Sequence, residues 1–392
     1  MINNKKSINI YIDYKVNSTK KYLGNSFPPL IYKYFKSKKN YNVYSLLDKK
    51  LPKIDICIII NGGSHWTYKD LKVNNFDFKQ LLIWTFPKFK NYYFIFFYFF
   101  KKNINLIFKR FLFENKSYEK HLENLISKNP NAKIIHRLDG IYQVICKNYG
   151  YDYTVQSINK NADVTVYQSL YSKNAWESGV KTIFGITRMI NPVKSVIIDN
   201  GVDKDIFKLN TKKIKLRGKW KILNISASPS PKKGLYKILE LAHSLRNNPD
   251  FQFYLIGNQI NDPLFGKYIS EYNNITFLST IYDRDKISSY YRSCDIFIFP
   301  SEDDCSPNVI LEAISLGLPI LTINSGGIKD LIIKDKLCAG LFLDDKNPVS
   351  SLLHIIKYYS KFRKDALKLS EYFSYTRMGR DYEKIIIDLI KK

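Results

Sequence analysis

Short apolar runs alternate with longer amphipathic segments along the chain, and this alternation predicts an α/β protein. The runs are rich in β-branched and aromatic residues and most end at Gly, Pro, Asn or Ser, which is typical of strands. Several are apolar on both faces, as expected of buried parallel strands. The predicted strands, some with their turns, are Ile8–Ile12, Ile54–Ile60, Ala132–Gly140, Ala162–Ser169, Trp220–Ser226, Phe251–Asn258, Ile275–Thr280, Asp295–Phe299 and Leu318–Thr322.

The most informative stretch runs from Asp295 to Leu321 and predicts a strand, an acidic loop, a helix, a turn and a second strand. Ser306 or Pro307 is expected to start the helix, because a hydroxyl cap followed by proline is a common helix beginning. Gly317 is expected to end it. Apolar residues at helical spacing give this helix a buried face: Val309, Ile310, Ala313, Ile314 and Leu316.

A helix that opens just past a strand is a place for an anion, usually a phosphate, because its first N–H groups have no partner within the helix. Two acids stand beside this helix start, Asp304 in the loop and Glu312 inside the helix. The spacing lets one acid reach a sugar ring and the other a ribose, with a diphosphate between them. The alternative is an ordinary βαβ crossover with solvated acids.

The stretch resembles the signature of family 4 retaining glycosyltransferases, whose pattern is PS, an acid, P-N-V-x-x-E-A and G-x-P-V. The resemblance implies that Glu312 holds the ribose of a sugar nucleotide and that Asp304 contacts the donor sugar. The family usually has glutamate at the position of Asp304, so Glu302 is an alternative first acid. Four residues at the helix start are implied donor contacts: Ser306, Pro307, Asn308 and Val309.

A second loop, which follows the predicted strand Trp220–Ser226, ends in Lys232-Lys233-Gly234. It resembles the family's R…K-G loop, in which an arginine and a lysine clamp the donor diphosphate. Lys233 matches the lysine, whereas Ser228 stands at the arginine position and Lys232 is a substitute cation. The structural alternative is a pair of solvated surface lysines.

Further turns are implied donor or cleft contacts by the same resemblance. Gly257 and Asn258 form the turn that usually lies beside the base of the nucleotide. Thr280 ends the next predicted strand, and the residues after that strand usually contact the base. Ser325 and Gly326 open another helix and offer a phosphate or sugar contact.

Two turns in the first half lie where parallel strands end and where a ligand crevice is expected. His65 follows Ile54–Ile60, and its alternative is a loop histidine bonded to the backbone. His136 and Asp139 belong to an H-R-L-D-G run that resembles a turn of some family 4 enzymes, where they would orient an acceptor hydroxyl. The alternative for Asp139 is to cap the helix that begins near Tyr142.

The resemblance implies the GT-B fold: α/β, with two Rossmann-like parallel-sheet domains facing a central cleft and a C-terminal helix crossing back to the first domain. Asn200-Gly201-Val202-Asp203 resembles the run that closes the N-terminal domain of this family. We expect an acceptor domain over residues 1–203, a linker over 204–219, a sugar-nucleotide domain over 220–370 and the returning helix over 371–392.

Charge bears mainly on the choice of partner. Residues 1–200 hold 32 basic and 13 acidic residues, a net charge of +19, whereas residues 201–392 carry a net charge of +8. A basic first half favours an anionic partner. The aromatic run Tyr92–Phe100 and the basic segment up to Phe113 are either a buried core helix or an interfacial segment, and the run is too short to span a bilayer.

The five cysteines are scattered and form no C-x-x-C pair, which predicts a reducing compartment and argues against a zinc site. The N-terminus lacks the apolar region of a signal peptide. We therefore expect a cytoplasmic protein, with peripheral membrane association left open. The D-x-D runs Asp203-Lys204-Asp205 and Asp283-Arg284-Asp285 are rejected as metal ligands because of their positions beside a turn and a helix.

The sequence thus predicts a retaining, hexosyltransferase-like enzyme that moves a sugar from a UDP- or GDP-sugar to a glycan, lipid-linked or protein-linked acceptor, without a metal. Two alternatives stay open at this point: a catalytically weakened GT-B protein that binds an anionic surface or nucleic acid, and a GT-B sugar-nucleotide epimerase. No nucleic-acid module is recognisable, so no nucleic-acid partner is expected.

Overall fold

The computed structural model describes residues 7–14, 26–60, 123–140, 155–178, 190–226, 231–257, 272–302 and 304–391, with the backbone of 180–182 and 185–187. The chain divides into two compact units. Unit 1 comprises Met1–Val16, Phe35–Ile197 and Ile385–Lys392, and unit 2 comprises Asn17–Tyr34 and Ile198–Lys384. The boundaries expected from the sequence stay a prediction.

Unit 1 is built on a six-stranded parallel sheet of order β2-β1-β3-β4-β5-β8. Its central strands are buried along their whole length, which explains why they consist of apolar runs without alternation. The strands are β1 (Ile8–Ile12), β2 (Tyr41–Ser45), β3 (Ile56–Ile60), β4 (Lys133–Leu138), β5 (Val164–Tyr167) and β8 (Ser195–Ile197), with an antiparallel pair β6 (Val180–Thr182) and β7 (Gly185–Thr187) outside the sheet.

Unit 2 contains a second six-stranded parallel sheet of order β11-β10-β9-β12-β13-β16. The strands are β9 (Trp220–Ser226), β10 (Phe251–Gly257), β11 (Ile275–Leu278), β12 (Ile296–Phe299), β13 (Ile320–Thr322) and β16 (Gly340–Phe342), and β14 (Ile333–Lys334) pairs with β15 (Leu337–Cys338). The predicted parallel sheets are therefore confirmed, with strand ends that differ from the sequence-based ranges by a few residues.

Most helices alternate with the strands, and several begin close to a cap or proline signal in the sequence. Asp283 caps one of them through its side chain, which accepts from the amides of Asp285 and Lys286 at 2.9 and 3.1 Å. The helices are α1 (Phe27–Lys36), α2 (Leu170–Ser178), α3 (Leu235–Ser244), α4 (Arg284–Ser293), α5 (Asn308–Ser315), α6 (Ile328–Ile332), α7 (Pro348–Lys357), α8 (Tyr359–Leu369) and α9 (Tyr375–Ile390).

One detail of the predicted helix start is wrong. The N-cap of α5 is Pro307, without a side-chain cap, and the buried Ser306 hydroxyl makes no hydrogen bond within the described residues. Proline thus stands at the cap itself rather than one position inside the helix. The serine hydroxyl is left beside the helix start instead of capping it.

The core of unit 2 lies on both faces of its sheet. One face packs α4 and α5 against β12 and β13, and the other packs α3 and α7 against β9 and β10. Phe207, in the polar stretch before β9, is buried and lies edge-on to Tyr291 of α4. Within the described residues, no helix combines the length and the apolar composition that crossing a membrane requires.

Candidate functional site

The order of the second sheet determines where its site lies. The chain runs from β9 outward to β10 and β11, and then returns to the other side of β9 as β12. Ligands of open α/β sheets bind outside the carboxyl ends of the strands at such a reversal. The loops that follow β9 and β12 carry Lys233 and Asp304, respectively, so the topology brings together residues that lie far apart in sequence.

Lys233 and Asp304 form an ion pair at this point, with 2.6 Å between Nζ and the Oδ2 atom. Ser301 Oγ donates to the same carboxylate oxygen at 2.8 Å, and Nζ lies 5.6 Å from the centre of the Phe299 ring. Both side chains keep partial access to solvent, 29% for Lys233 and 23% for Asp304. The pair is therefore ordered by the protein and still open to a ligand.

The loops that carry Lys233, Asp304 and Ser325 lie around this pair, and glycines allow their backbones to come into contact. Gly234 has φ of 66°, and a side chain there would overlap the Pro300 carbonyl. Gly326 has φ of 61° and lies against the backbone of Asp304, whose carbonyl accepts from Gly327 N at 2.8 Å. Only glycine combines this conformation with such close approach. The position of Asp304 is thus fixed from two sides.

Helix α5 begins immediately after the acidic loop, and its first N–H groups have no partner within the helix. The Asn200 amide donates to Asn308 Oδ1 at 3.1 Å and lies 3.4 Å from the Ser306 carbonyl. The turn Asn200–Asp203, singled out from the sequence as a domain boundary, therefore also supports the start of this helix. The arrangement favours an anion next to Lys233.

Glu312 lies about one turn below this helix start, and its side chain is 3% exposed. One oxygen pairs with Arg284 Nη2, and the other accepts from the Tyr291 hydroxyl at 2.9 Å, which also lies 3.1 Å from the Val309 carbonyl. Burial first, and then the neighbouring carboxylate, raise the pKa of Tyr291 well above its usual value, so its hydroxyl remains a donor. The guanidinium also lies 4.9 Å from the centre of the Phe207 ring.

Arg284 and Tyr291 were missed as site residues by the sequence analysis. Both lie on α4, and their spacing of seven residues places them on one face of that helix. The available signal was the Asp283-Arg284-Asp285 run, which drew attention to its two acids instead of the arginine between them. Asp283 is the helix cap, so the position of Arg284 in the first turn was predictable, whereas its partner was not.

The other predicted donor contacts lie at the carboxyl ends of the same sheet. Gly257 ends β10 with φ of 144°, and Thr280 follows β11 and is partly exposed. Ser325 and Gly326 precede α6, as predicted. Glu302 is exposed, and its amide donates to the Lys232 carbonyl at 2.7 Å. Three predicted residues lie outside the described residues: His65, Ser228 and Asn258.

The two acceptor candidates in unit 1 lie in different environments, since His136 is inside β4 and Asp139, which follows its carboxyl end, is partly exposed. His136 is fully buried in β4, and its Nδ1 atom lies 3.1 Å from the Asn159 amide nitrogen. The Asp139 side chain pairs with Arg137, while its carbonyl accepts from Trp176 Nε1 at 2.9 Å. Since a reacting group must reach substrate, we do not carry His136 into the proposed mechanism.

Three acids of the two D-x-D runs, Asp203, Asp205 and Asp283, have partners in the protein. Asp203 and Asp205 bind Lys33 at 2.7 and 2.9 Å, which raises the pKa of Lys33 despite its partial burial. Asp283 caps α4, as described above. In the part of the chain that the structure describes, no group of three or more His, Cys, Asp or Glu side chains is arranged to hold a metal ion.

Comparisons with known proteins find similarity to glycosyltransferases. Residues 188–374 match the family model described as glycosyl transferases group 1. Sulfoquinovosyl transferase SQD2 of Arabidopsis thaliana is 33% identical over 110 residues, which are 26% of this chain and 20% of that protein. The UDP-Gal:alpha-D-GlcNAc-diphosphoundecaprenol alpha-1,3-galactosyltransferase of Escherichia coli is 26% identical over 178 residues, 43% of this chain and 45% of that protein. The chain thus spans less than half the length of these curated relatives.

Several solved structures match nearly the whole chain. Sucrose-phosphate synthase from Thermosynechococcus elongatus has a TM-score of 0.63 at 14% identity and covers 98% of this chain and 100% of its own. HepE from Anabaena, in complex with UDP-glucose, has a TM-score of 0.56 at 14% identity and covers 97% of this chain and 99% of its own. The GT-B fold and the resemblance to glycosyltransferases are confirmed, while the assignment to family 4 stays a prediction.

Proposed function

We propose that this chain is a glycosyltransferase that moves a sugar from a nucleotide-diphosphate donor to an acceptor hydroxyl with retention of configuration. The observation that carries the proposal is the Lys233–Asp304 pair beside the start of α5, with Glu312 one turn below. These residues provide a cation with amides for a diphosphate, flanked by one acid for each of the two sugars that the diphosphate joins. That set of groups suits a diphosphate, a sugar and a ribose.

Lys233 is the proposed electrostatic catalyst. Its ammonium has three N–H donors, and Asp304 uses one of them, so two remain for diphosphate oxygens. Negative charge grows on the leaving diphosphate as the anomeric carbon becomes cation-like. Lys233 and the amides at Asn308 and Val309 stabilise that charge where it develops.

The proposed step is an attack on the face that the leaving group departs from. The acceptor oxygen bonds to the anomeric carbon, the bond from that carbon to the diphosphate oxygen breaks, and the diphosphate takes the acceptor proton. No side chain is required as a nucleophile, which fits a site whose acids are both bound by donors. A metal is not needed in this scheme, since fixed cations and amides neutralise the diphosphate.

Asp304, rather than Glu302, is the proposed sugar-binding acid. The Asp304 carboxylate is held by Lys233 and Ser301, whereas the Glu302 side chain is exposed. A positioned acid orients a sugar hydroxyl at lower entropic cost than a free one. The loop geometry therefore compensates for the shorter side chain at this position.

The donor and acceptor classes rest on relatives. HepE was solved with UDP-glucose, and the E. coli relative is named for UDP-Gal and a diphosphoundecaprenol-linked acceptor. We propose a UDP- or GDP-sugar as donor and a glycan, lipid-linked or protein-linked hydroxyl as acceptor. The basic first half of the chain fits a lipid-linked acceptor at an anionic membrane surface.

Slow hydrolysis of the donor tests the proposal without knowledge of the acceptor. The protein is screened against UDP- and GDP-hexoses by thermal shift, since a ligand at 100 times its Kd adds about 2.7 kcal/mol of stability. The donor that binds is then incubated with the protein, and the configuration of the released sugar is read by NMR at early times. Released sugar with the configuration of the donor supports retention.

Two variants calibrate this assay. Asp304→Asn is expected to lower hydrolysis at least tenfold, and Glu302→Gln is expected to leave it within twofold. Release of inverted sugar contradicts retention, and failure of every UDP- and GDP-hexose to bind contradicts the proposed donor class. Conversion of the donor into an epimeric sugar nucleotide would identify an epimerase.

A further inference from the structure

Arg284 and Tyr291 hold the Glu312 carboxylate in a way that leaves it half occupied. An ionised carboxylate has about four positions at which it accepts hydrogen bonds. Arg284 Nη2 takes one position on Oε1, and the Tyr291 hydroxyl takes one on Oε2. One position on each oxygen remains, which is the pattern that two neighbouring hydroxyls of a ribose require.

The buried ion pair between Arg284 and Glu312 is poorly suited to a purely stabilising role. Buried ion pairs contribute little net stability, because desolvation of both charges offsets their attraction. Here the Arg284 Nε atom is buried and makes no hydrogen bond within the described residues, which adds an unfavourable unpaired donor. The contact of its guanidinium with the Phe207 ring keeps it in place nonetheless.

We propose that Arg284, assisted by Tyr291, is a positioning residue that holds the buried Glu312 carboxylate aimed at both ribose hydroxyls of the donor nucleotide. The proposal rests on the proposed function and adds to it the residue that makes the site selective for ribose. Arg284 acts through Glu312 and is not itself a catalytic residue. Without its cation, a carboxylate that is 3% exposed loses the charge compensation that burial requires.

The test is a comparison of UDP with 2′,3′-dideoxy-UDP by calorimetry, with GDP and its dideoxy form as a second probe. The wild-type protein is expected to prefer the ribose form at least tenfold. Arg284→Gln is expected to reduce this preference to threefold or less and to leave the affinity for the dideoxy form within twofold. Tyr291→Phe is expected to give an intermediate preference, and Arg284→Lys a partial rescue.

The matched control is Arg292→Gln on the same helix, where the half-buried arginine donates to the Leu209 carbonyl at 2.6 Å. It is expected to keep the wild-type preference. If Arg284→Gln lowers the melting temperature but keeps the preference for ribose, the pair is structural and the inference is overturned. An increased preference overturns it as well, because it would make Arg284 a competitor of the ribose.

Failure of the proposed function gives a different result. If the wild-type protein binds neither UDP nor GDP, the donor class is wrong and the inference falls with it. If it binds one of them and Arg284→Gln changes nothing, only the inference fails. Should Arg284→Gln not fold, Arg284→Lys and Tyr291→Phe carry the same comparison, and wild-type preference in both overturns the proposal.

Discussion

At the scale of single residues, the chemistry depends on a cation that is shared between the protein and a ligand. The Lys233 ammonium donates one N–H group to Asp304 and keeps partial access to solvent. Its ion pair is partly exposed, so it contributes little to stability, about 1 kcal/mol or less. A substitution of Lys233 should therefore reveal a phosphate role without the confusion of a folding defect.

Lys233→Ala is expected to weaken binding of UDP or GDP at least tenfold and to leave binding of the free nucleoside within twofold. The reason is that hydrogen bonds to charged groups contribute about 1.5–3 kcal/mol. Calorimetry with nucleotide and nucleoside gives both values. Lys237→Ala is the control, because Lys237, in the first turn of α3, also forms an ion pair, with the exposed Asp345. Equal losses for nucleoside and nucleotide would count against a phosphate role.

Glu312→Gln is expected to lower nucleotide affinity at least tenfold. The amide keeps the shape of the side chain but loses the charge that strengthens acceptance from the ribose, and 1.4 kcal/mol corresponds to a factor of 10. It also leaves Arg284 beside a neutral group. Calorimetry on a variant whose circular dichroism matches wild type makes the measurement. Unchanged affinity would remove Glu312 from the ribose site.

At the scale of elements, the site is a set of loops at the ends of β9, β12 and β13 that touch backbone to backbone. Much of this was predictable. The apolar runs identify the strands, and the motif Pro307-Asn308-Val309 with Glu312 places a helix start behind an acidic loop. The resemblance then supplied roles for Lys233 and Asp304, and the structure brings these two side chains into contact.

The partners of Glu312 were not predictable in the same way. Sequence patterns report periodicity along one element, whereas the Arg284–Glu312 contact joins two helices and depends on how α4 packs against α5. The burial of His136 could not be predicted from the sequence either. A strand residue near a carboxyl end faces either the rim or the interior, and sequence position alone does not separate these outcomes for a strand that is buried on both faces.

Gly234→Ala tests the role of the loop contacts. A residue with a methyl group is strained at φ of 66°, and the methyl would overlap the Pro300 carbonyl. Relief of this overlap would move the Lys233 loop away from the Asp304 loop. We expect a loss of stability on the order of 1–3 kcal/mol and a larger fractional loss of donor hydrolysis. Thermal unfolding and the hydrolysis assay measure the two effects. Ser244→Ala, at the exposed end of the helix that Gly234 precedes, is the control, and equal behaviour of the two variants would show that the loops tolerate separation.

At the scale of the whole molecule, charge is divided unequally along the chain. The net charge is +27, of which residues 1–200 hold +19. Asp203 and Asp205 pair with Lys33, while Lys38, Lys39, Lys49, Lys50 and Lys53 are exposed. An excess of this kind attracts anionic surfaces over distances set by the salt concentration.

We predict that the protein binds vesicles that contain anionic lipid, and that salt weakens this binding. Each basic residue near an anionic leaflet contributes about 1 kcal/mol, and this contribution decays within a Debye length. Co-sedimentation with anionic and neutral vesicles at low and high salt makes the measurement. Equal sedimentation in all four conditions would contradict membrane binding. The excess positive charge would then be explained by a basic acceptor site.

The segment Tyr92–Phe100 with Lys101 and Lys102 lies outside the described residues, and its role stays a prediction that variants can decide. Replacing both lysines by glutamine should weaken vesicle binding, whereas the same change at Lys212 and Lys213 should have a smaller effect because the second half carries less excess charge.

Phe96→Asp separates the two interpretations of the aromatic run. In a core it lowers the melting temperature sharply, since a buried charge without a partner is unfavourable. At an interface it leaves the melting temperature near wild type and abolishes sedimentation with anionic vesicles, which would tie the aromatic run to the surface where a lipid-linked acceptor is found.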